Sequence, residues 1–153
     1  MELQYGQATA KDLPQLVELL HVLFTDEAEF QPNAEKQKRA LEAILANPAI
    51  GKVFVAREGK RVVAMASLLY TISTAEGGKA ALFEDLVVQP DERKRGIGEA
   101  LLKHVVAQAR ADGVLRITLL TDMQNERAKA MYRRAGFVGS PMRPMRLKIR
   151  PGG

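Results

Sequence analysis

The stretch that decides the fold is residues 89–98, which read QPDERKRGIG. An apolar segment, Ala80–Val88, precedes it, and the next residues, Gly96–Ala111, carry apolar side chains at helical spacing. A strand, a basic loop and a helix therefore follow one another. The first N–H groups of a helix have no partner within it, and the helix dipole places about half a positive charge there. This order predicts an anion site, and hence a ligand that carries phosphate.

The residues of the loop favour the same site. Gly96 and Gly98 have no side chain that would keep a phosphate away from the backbone. Two common phosphate motifs are excluded, because Leu101 stands where a dinucleotide fingerprint has its third glycine or alanine, and no Gly-Lys pair precedes a Ser or Thr. The loop also supplies cationic donors, namely Arg93, Lys94 and Arg95.

Two further segments stand at a fitting distance from this loop. Residues 83–88 read FEDLVV, and residues 125–137 read NERAKAMYRRAGF. Together with Arg93-x-x-Gly96-x-Gly98, they resemble three motifs of the GCN5-related N-acetyltransferases, in which the glycine motif binds pyrophosphate. Met131 stands where that family usually has an aromatic residue before the tyrosine. The resemblance covers about residues 80–138.

Periodic patterns predict the element order β-αα-β-β-β-α-β-α-β-β, an α/β fold with a mixed sheet and helices on both faces. Strand Ala80–Val88, the helix after it and strand Leu115–Thr121 make a right-handed parallel crossover. Phe137–Val138 and Pro144–Ile149 are expected as a final pair of strands. We expect one domain over residues 1–150 and a tail over 151–153. This order agrees with the acyl-CoA N-acyltransferase fold that the resemblance implies.

The composition restricts the class of protein. The 153 residues include 46% hydrophobic and 27% charged residues, two histidines and no cysteine. These values predict a globular protein and exclude disulfides and a cysteine nucleophile. We also expect no metal. The sequence shows no charged leader and no apolar run of membrane-spanning length, so we expect a cytoplasmic protein without a membrane partner.

The net charge of +5 raises nucleic-acid binding as an alternative. Aromatic residues make up only 5% of the chain and are not interleaved with basic residues as base stacking requires. Near the C-terminus Met145, Leu147 and Ile149 alternate with basic residues, as in an exposed edge strand. We therefore expect no nucleic-acid partner. The resemblance adds a homodimer through the late strands as an expectation.

The resemblance implies acetyl-CoA as co-substrate. Its pantetheine would pair with the backbone of Leu86, Val87 and Val88 like an added strand, and the N–H of Val87 or Val88 would polarise the thioester. The acetyl group would lie where this strand separates from the next. Asn125, which can cap its helix, could also contact the pantetheine. The pyrophosphate would lie beside Arg93, on the backbone N–H groups of Lys94, Arg95, Gly96, Ile97, Gly98 and Glu99.

Tyr132 is the candidate general acid, because a phenol with a pKa of about 10 can protonate a leaving thiolate. The alternative is a core tyrosine on an amphipathic helix. Glu84 is the candidate base, directly or through a water, because a carboxylate within an apolar strand is costly unless it is paired or lines a cleft. The alternatives are a Glu84 paired with a Lys or Arg, and an acid near the next strand, where Asp122 is the first carboxylate. Side-chain alternation directs Asp85 to the opposite face.

Residues 26–30, which read DEAEF, form an acidic lip with one aromatic ring at the end of the first helix. This lip favours an amine-bearing acceptor, and the alternative is a solvated helix end. The resemblance thus predicts transfer of an acetyl group from acetyl-CoA to a primary amine of an acceptor whose identity stays open. Two other functions also stay open, a non-catalytic acyl-CoA sensor on the same fold and a nucleic-acid-binding protein.

Overall fold

The structure, a computed structural model, describes residues 2–27 and 30–150. None of the helices in these ranges is long and apolar enough to cross a membrane. A short 3-10 turn precedes α1 and another precedes α3. The elements in chain order are β1 (Leu3–Gln7), α1 (Leu13–Asp26), α2 (Ala34–Ala46), β2 (Gly51–Glu58), β3 (Arg61–Ser73), β4 (Gly78–Val88), α3 (Ile97–Ala111), β5 (Ile117–Leu119) and α4 (Glu126–Arg134).

The strands form one sheet in the order β1-β2-β3-β4-β5. The first three pairings are antiparallel, and β4 pairs with β5 in parallel. The connection from β4 to β5 runs through α3, as parallel neighbours require. The predicted mixed sheet with one parallel crossover is therefore confirmed.

Helices cover both faces of the sheet, as the sequence predicts. On the α3–α4 face, Leu101, Leu102 and Val105 of α3 pack in one buried cluster with Phe54 and Phe83 of the sheet. On the α1–α2 face, helices α1 and α2 pack against the opposite side of the strands. The buried apolar side chains of that face include Leu16, Leu19, Leu20, Leu41, Val53, Val55, Met65 and Val87.

An ion pair fixes the start of α1 to the sheet. The buried Asp12 carboxylate accepts hydrogen bonds from the Arg57 guanidinium of β2 at 2.8 and 2.9 Å, and from the Thr9 N–H at 2.9 Å. The Arg57 bonds hold the pKa of Asp12 below its usual value. The Gln15 side chain accepts a further bond from the Val62 N–H at 2.8 Å. These contacts fix where the far end of α1 lies on the α1–α2 face.

The expected final pair of strands is not formed. Residues 137–149 contain no strand, and Met145, Leu147 and Ile149 are exposed. The predicted strand Leu115–Thr121 is also shorter, since only Ile117–Leu119 pairs with β4. A period-two pattern specifies the two faces of a strand, but a strand forms only where a neighbour supplies hydrogen bonds. In the described part of the chain, residues 137–149 have no such neighbour.

Candidate functional site

A β-bulge interrupts β4 near its C-terminal end. In the register between β3 and β4, Ser67 pairs with Glu84 and Met65 pairs with Val87. Two residues of β4 therefore stand opposite one residue of β3. The first of the two, Asp85, has a φ of 58°, which is rare for a residue other than glycine. A bulge of this kind bends its strand and changes the direction of the side chains beyond it.

The bulge directs two consecutive carboxylates to the α1–α2 face. Phe83 lies in the core of the α3–α4 face, so the next residue, Glu84, points to the other face. Asp85 also faces that side, because it lines a cavity of about 250 Å3 whose walls include Phe24 of α1 and Leu41 of α2. The expectation that Asp85 points away from Glu84 is therefore wrong. The left-handed residue at the bulge breaks the alternation on which that expectation depends.

Neither carboxylate forms an ion pair with a described residue, although Lys36 of α2 lines the same cavity as Asp85. Within the described residues, neither Glu84 nor Asp85 takes part in a hydrogen bond or an ion pair, so Glu84 is not the paired carboxylate considered above. Burial raises the pKa of Glu84 above its usual value. Burial also raises the pKa of Asp85 to about 6, with a smaller contribution from the negative charges of Glu84 and Glu27. A carboxylate of this kind accepts a proton more readily than an ordinary aspartate does.

Ser67 adds an unsatisfied polar group beside this pair. It is only 1% exposed, and its Oγ has no hydrogen-bond partner in the described part of the chain. Its register partner is Glu84, and directly opposed side chains in antiparallel strands have Cβ atoms about 5 Å apart. A buried hydroxyl without a partner is uncommon and suits a bound water or a ligand. Sequence reasoning missed this residue, although a serine within the apolar run of residues 62–69 could have pointed to it.

The other side of the site is an open strand edge. The pairing of β4 with β5 spans only Ala81–Phe83 against Ile117–Leu119. Beyond Phe83, β4 continues to Val88 without a neighbour on that side among the described residues. The two parallel strands therefore separate after Phe83, and Leu86, Val87 and Val88 lie along the resulting gap.

The loop after β4 leads into the start of α3. Lys94 and Gly96 have φ values of 70° and 75°, and Gly96 is the N-cap of α3. Left-handed residues close together in such a loop turn successive N–H groups towards one side and so form an anion-binding concavity. No atom lies within 4 Å of the position that a Cβ on Gly96 would occupy. The space next to the backbone there is open, as the predicted phosphate site requires.

The charged side chains of this loop differ in their surroundings. Arg95 bonds to Glu92 and lies 3.3 Å from Glu58, while Arg93 lies 3.5 Å from Asp26. Lys94 forms no ion pair with any described residue and is exposed. The Glu99 carboxylate pairs with Arg134 at 2.7 Å and with Lys103 at 3.7 Å, which joins α3 to α4. Of the three cations, only Lys94 is therefore unpaired within the described chain.

Tyr132 lies where β4 and β5 separate. Its ring makes an edge-to-face contact with Phe83, the last β4 residue paired with β5, at a centroid distance of 6.5 Å. A second such contact joins it to Phe137 at 5.9 Å. Burial raises the pKa of the Tyr132 phenol above its usual value. The side chain also lines a groove of about 1390 Å3 between β5 and α4, and its hydroxyl has no partner in the described part of the chain. A protonated phenol thus lies beside the open β4 edge.

Asn125 caps α4, and its Oδ1 accepts a hydrogen bond from the Ala128 N–H at 3.0 Å. This bond fixes the start of the short helix that carries Tyr132. Capping alone explains the asparagine, so its contact with a cofactor stays a prediction.

The acidic lip lies next to the Asp85 cavity. Phe30 stacks edge-to-face on Phe24, which lines the cavity, at 5.9 Å. The Asp26 carboxylate lies 3.5 Å from the Arg93 guanidinium in the loop before α3, so the lip and that loop are neighbours. Ala28 and Glu29, which the sequence analysis includes in the lip, lie outside the described residues.

Comparison with known proteins gives a consistent result. The model of the acetyltransferase (GNAT) family matches residues 13–137. An amino-acid acetyltransferase of Ralstonia nicotianae is 32% identical over 138 residues, which are 90% of this chain and 27% of that protein. A glucosamine 6-phosphate N-acetyltransferase of Trypanosoma brucei brucei is 32% identical over 101 residues, which are 65% of this chain and 66% of that protein. The chain thus spans about a quarter of the first relative and just under two thirds of the second.

Solved structures agree over almost the whole chain. An integron cassette protein from the mobile metagenome of Cole Harbour salt marsh has a TM-score of 0.85 and 28% identity, over 97% of this chain and 91% of that one. A putative acetyltransferase from Agrobacterium tumefaciens has a TM-score of 0.77 and 28% identity, over 96% of this chain and 99% of that one.

The partly buried Asp85 carboxylate predicts an effect on stability with a defined pH dependence. Because the carboxyl of Asp85 has an ordinary pKa of 3.8 when unfolded and about 6 when folded, the folded state holds the proton more tightly. The protein therefore loses stability as the pH rises from about 4 to above 6. We expect Asp85→Asn to raise the free energy of unfolding at pH 7.5 by about 3 kcal/mol, and the gain to vanish below about pH 4.

Urea unfolding over a series of pH values measures this difference. The control is Glu18→Gln, because Glu18 is an exposed residue of α1. We expect this substitution to leave the free energy of unfolding unchanged. A gain of the same size at pH 4 and pH 7.5 would contradict the assignment of a raised pKa to Asp85.

Proposed function

The chain belongs to the acetyltransferase (GNAT) family, and we propose that it transfers an acetyl group from acetyl-CoA to a primary amine of an acceptor. The observation that carries this proposal is the open β4 edge. It runs directly into the glycine-containing start of α3, and Tyr132 stands where the edge begins. The amine would attack the thioester directly, without an acyl-enzyme intermediate.

The residues of the edge and the loop would hold acetyl-CoA. The backbone of Leu86, Val87 and Val88 would pair with the pantetheine amides, because an exposed strand edge presents unpaired donors and acceptors. The N–H groups from Lys94 to Glu99 would bind the pyrophosphate at the helix N-terminus, with the unpaired Lys94 as its nearest cation. Arg93 and Arg95 would first have to exchange their carboxylate partners for phosphate oxygens. The N–H of Val87 or Val88 would polarise the thioester carbonyl.

Tyr132 would supply the proton to the leaving group. Attack of the amine nitrogen on the carbonyl carbon forms the C–N bond, and the C–S bond then breaks to release a thiolate. The raised pKa of Tyr132 keeps its phenol protonated at neutral pH, so that a proton is available beside the leaving thiolate, whose conjugate acid is a comparable or somewhat stronger acid in water. Solvent can return the proton to Tyr132, because its groove is open.

Glu84 or Asp85 would take the proton from the amine. Partial burial raises the pKa of both carboxyls, and neither forms an ion pair with a described residue, which supports either group as the base. Glu84 is the candidate from the sequence, and Asp85 becomes a second candidate because it faces the same side of the sheet. An efficient base has a pKa near the working pH, so the carboxyl with a pKa of about 6 is the better base. A water bound at the Ser67 hydroxyl would connect the pair to the amine.

A small amine metabolite is the acceptor class that the site favours. Two relatives bear the names amino-acid acetyltransferase and glucosamine 6-phosphate N-acetyltransferase, and both names describe amine-bearing metabolites. Two carboxylates that form no ion pair with a described residue, one of them lining a cavity of about 250 Å3, attract an ammonium group. The acidic lip near Asp26 adds to this attraction. A peptide acceptor stays open.

The remaining expectations concern partners and location. A homodimer is supported by the exposed apolar side chains after α4. A cytoplasmic location, one domain over residues 1–150, a reaction without a metal, and the absence of membrane and nucleic-acid partners all stay predictions.

Cofactor binding is tested by Gly96→Glu. The acidic side chain would project into the anion site and strain a position with φ of 75°. Wild type should gain about 4 kcal/mol of stability from acetyl-CoA at a thousand times its Kd, seen as a rise in Tm, and Gly96→Glu should not. Gly113→Glu is the matched control, because Gly113 has φ of 77°, equally open surroundings, and lies at the other end of α3. It should retain the shift. If acetyl-CoA does not stabilise the wild type, the proposed function fails.

The general acid is tested by Tyr132→Phe. Phenylalanine keeps both edge-to-face ring contacts and removes only the hydroxyl, so we expect kcat to fall about 10²-fold with the acetyl-CoA shift in Tm unchanged. Tyr5→Phe on β1 is the control and should leave kcat unaltered. Thiol release from acetyl-CoA over a panel of amines gives the rates. Unchanged turnover in Tyr132→Phe would remove the acid role, whereas cofactor binding without turnover by wild type with any amine would favour the acyl-CoA sensor.

The base is tested by the pair Asp85→Asn and Glu84→Gln. We expect Asp85→Asn to lower kcat/KM at pH 7.5 about 10²-fold and Glu84→Gln to lower it less. For wild type, kcat/KM should rise with pH through an apparent pKa near 6, because the base must be ionised. The same rise in the Asp85→Asn variant would assign the base to another group.

A further inference from the structure

The cavity between α1 and α2 has mostly apolar walls. Its apolar lining residues are Leu20, Phe24, Ala40, Leu41 and Ile44. Leu20 and Leu41 are almost fully buried, so this part of the wall belongs to the core of the α1–α2 face. Phe30 adds a second aromatic ring beside Phe24. A molecule that enters this cavity therefore mainly contacts hydrocarbon.

Few polar groups line the cavity. Besides Asp85, the polar residues of its lining are Lys36 and Gln37. The Gln37 side-chain oxygen already accepts a hydrogen bond from the Asn33 N–H at 2.7 Å. A hydroxyl group that loses its water without gaining a hydrogen bond is unfavourable, so a polyhydroxylated ligand such as a sugar fits this lining poorly.

The charges around the cavity favour a single ammonium group. Asp85 lines the cavity, Glu84 precedes it on the same face, and the negative charge of Glu27 is near enough to contribute to the raised pKa of Asp85. Lys36 is the one cation of the described lining. Three carboxylates against one lysine attract a cation and repel a carboxylate or phosphate. A second ammonium in the cavity would be repelled by Lys36 and would lie against hydrocarbon.

Ser67 supplies a polar atom at the sheet end of this site. Its neighbours Ala66 and Leu68 belong to the core of the α3–α4 face, so its own side chain points to the α1–α2 face, beside Glu84. It is 1% exposed, and its Oγ has no hydrogen-bond partner in the described part of the chain. A hydroxyl oxygen accepts a hydrogen bond from an ammonium N–H. The amine end of a ligand is therefore best placed at β4, next to its open edge.

The volume of the cavity limits the size of the apolar part of the ligand. An apolar cavity of about 150 Å3 holds one benzene molecule. The cavity between α1 and α2 measures about 250 Å3. In proportion, it accommodates a hydrocarbon body of roughly six to ten carbon atoms.

We propose, on the basis of the acetyl transfer proposed above, that the acceptor is a primary monoamine with an alkyl or arylalkyl body and no anionic group. Its ammonium would lie at Glu84, Asp85 and Ser67, and its apolar body would enter the cavity beside Phe24. A carboxylate takes one proton from the ammonium, and the neutral nitrogen attacks the thioester carbon at the β4 edge. The C–N bond forms, the C–S bond breaks, and Tyr132 gives its proton to the thiolate.

A panel of matched amines in the thiol-release assay tests this acceptor class. Phenylalanine adds a carboxylate to phenethylamine, the diamine of the same chain length adds a second ammonium to hexylamine, and glucosamine carries its amine on a hydroxylated ring. We expect kcat/KM of phenethylamine and hexylamine to exceed that of the three polar amines about tenfold or more.

The outcomes of this panel separate the acceptor class from the reaction. Release with any of the three polar amines that equals or exceeds release with phenethylamine and hexylamine would overturn the acceptor class and leave the proposed acetyl transfer standing. No release with any amine would overturn the proposed transfer and the acceptor class together.

Ala40→Leu tests the position of the apolar body. Ala40 is exposed on α2 and lines the cavity, so a larger side chain there occupies the cavity without disturbing the core. We expect the KM for phenethylamine to rise about tenfold, with the acetyl-CoA shift in Tm unchanged. The matched control is Ala43→Leu, because Ala43 is exposed on the same helix and does not line the cavity. An unchanged KM in Ala40→Leu, or an equal rise in both variants, would overturn the proposal.

Discussion

The site depends on one extra residue in β4. The bulge at Asp85 places a non-glycine residue in the left-handed region, which costs about 1 kcal/mol or more. The bulge also changes the direction of β4 over one residue. Before the bulge β4 pairs with β5, and beyond it the β4 edge is free. The same bulge places Glu84 and Asp85 on one face, above the cavity between α1 and α2. The open edge and the carboxylate pair therefore lie at the same part of β4.

The bulge divides the chemistry between the two faces of the sheet. Tyr132 stands on the α3–α4 side with Phe83, and the carboxylates stand on the α1–α2 side. The free β4 edge lies between the two sides. A thioester held along that edge would be open to a base from one side and an acid from the other. The two environments raise the pKa values of Asp85 and Tyr132 independently, because neither group is among the causes of the other's shift.

The surrounding structure compensates for the cost of this arrangement. Glu84, Asp85 and the Ser67 hydroxyl have no hydrogen-bond partner among the described residues, and burial makes each of them unfavourable. Apolar clusters on both faces of the sheet, and the Asp12–Arg57 pair that fixes α1, supply stability away from the site. Sites that bind or react commonly keep such local instability, because removing it would also remove the function.

The sequence by itself determined the features that depend on neighbours along the chain. Helix α3, the glycine at its start and the Asn125 cap of α4 were all readable, because periodicity and capping are local. Only the tertiary structure decided the face of Asp85, the isolation of Ser67 and the pairing of Arg95 with Glu58, since each depends on strands or loops far apart in sequence. The absent strand at 144–149 has the same reason. The alternation of apolar and basic residues predicts which side chains a strand would bury. The strand itself forms only where a neighbouring strand supplies backbone hydrogen bonds.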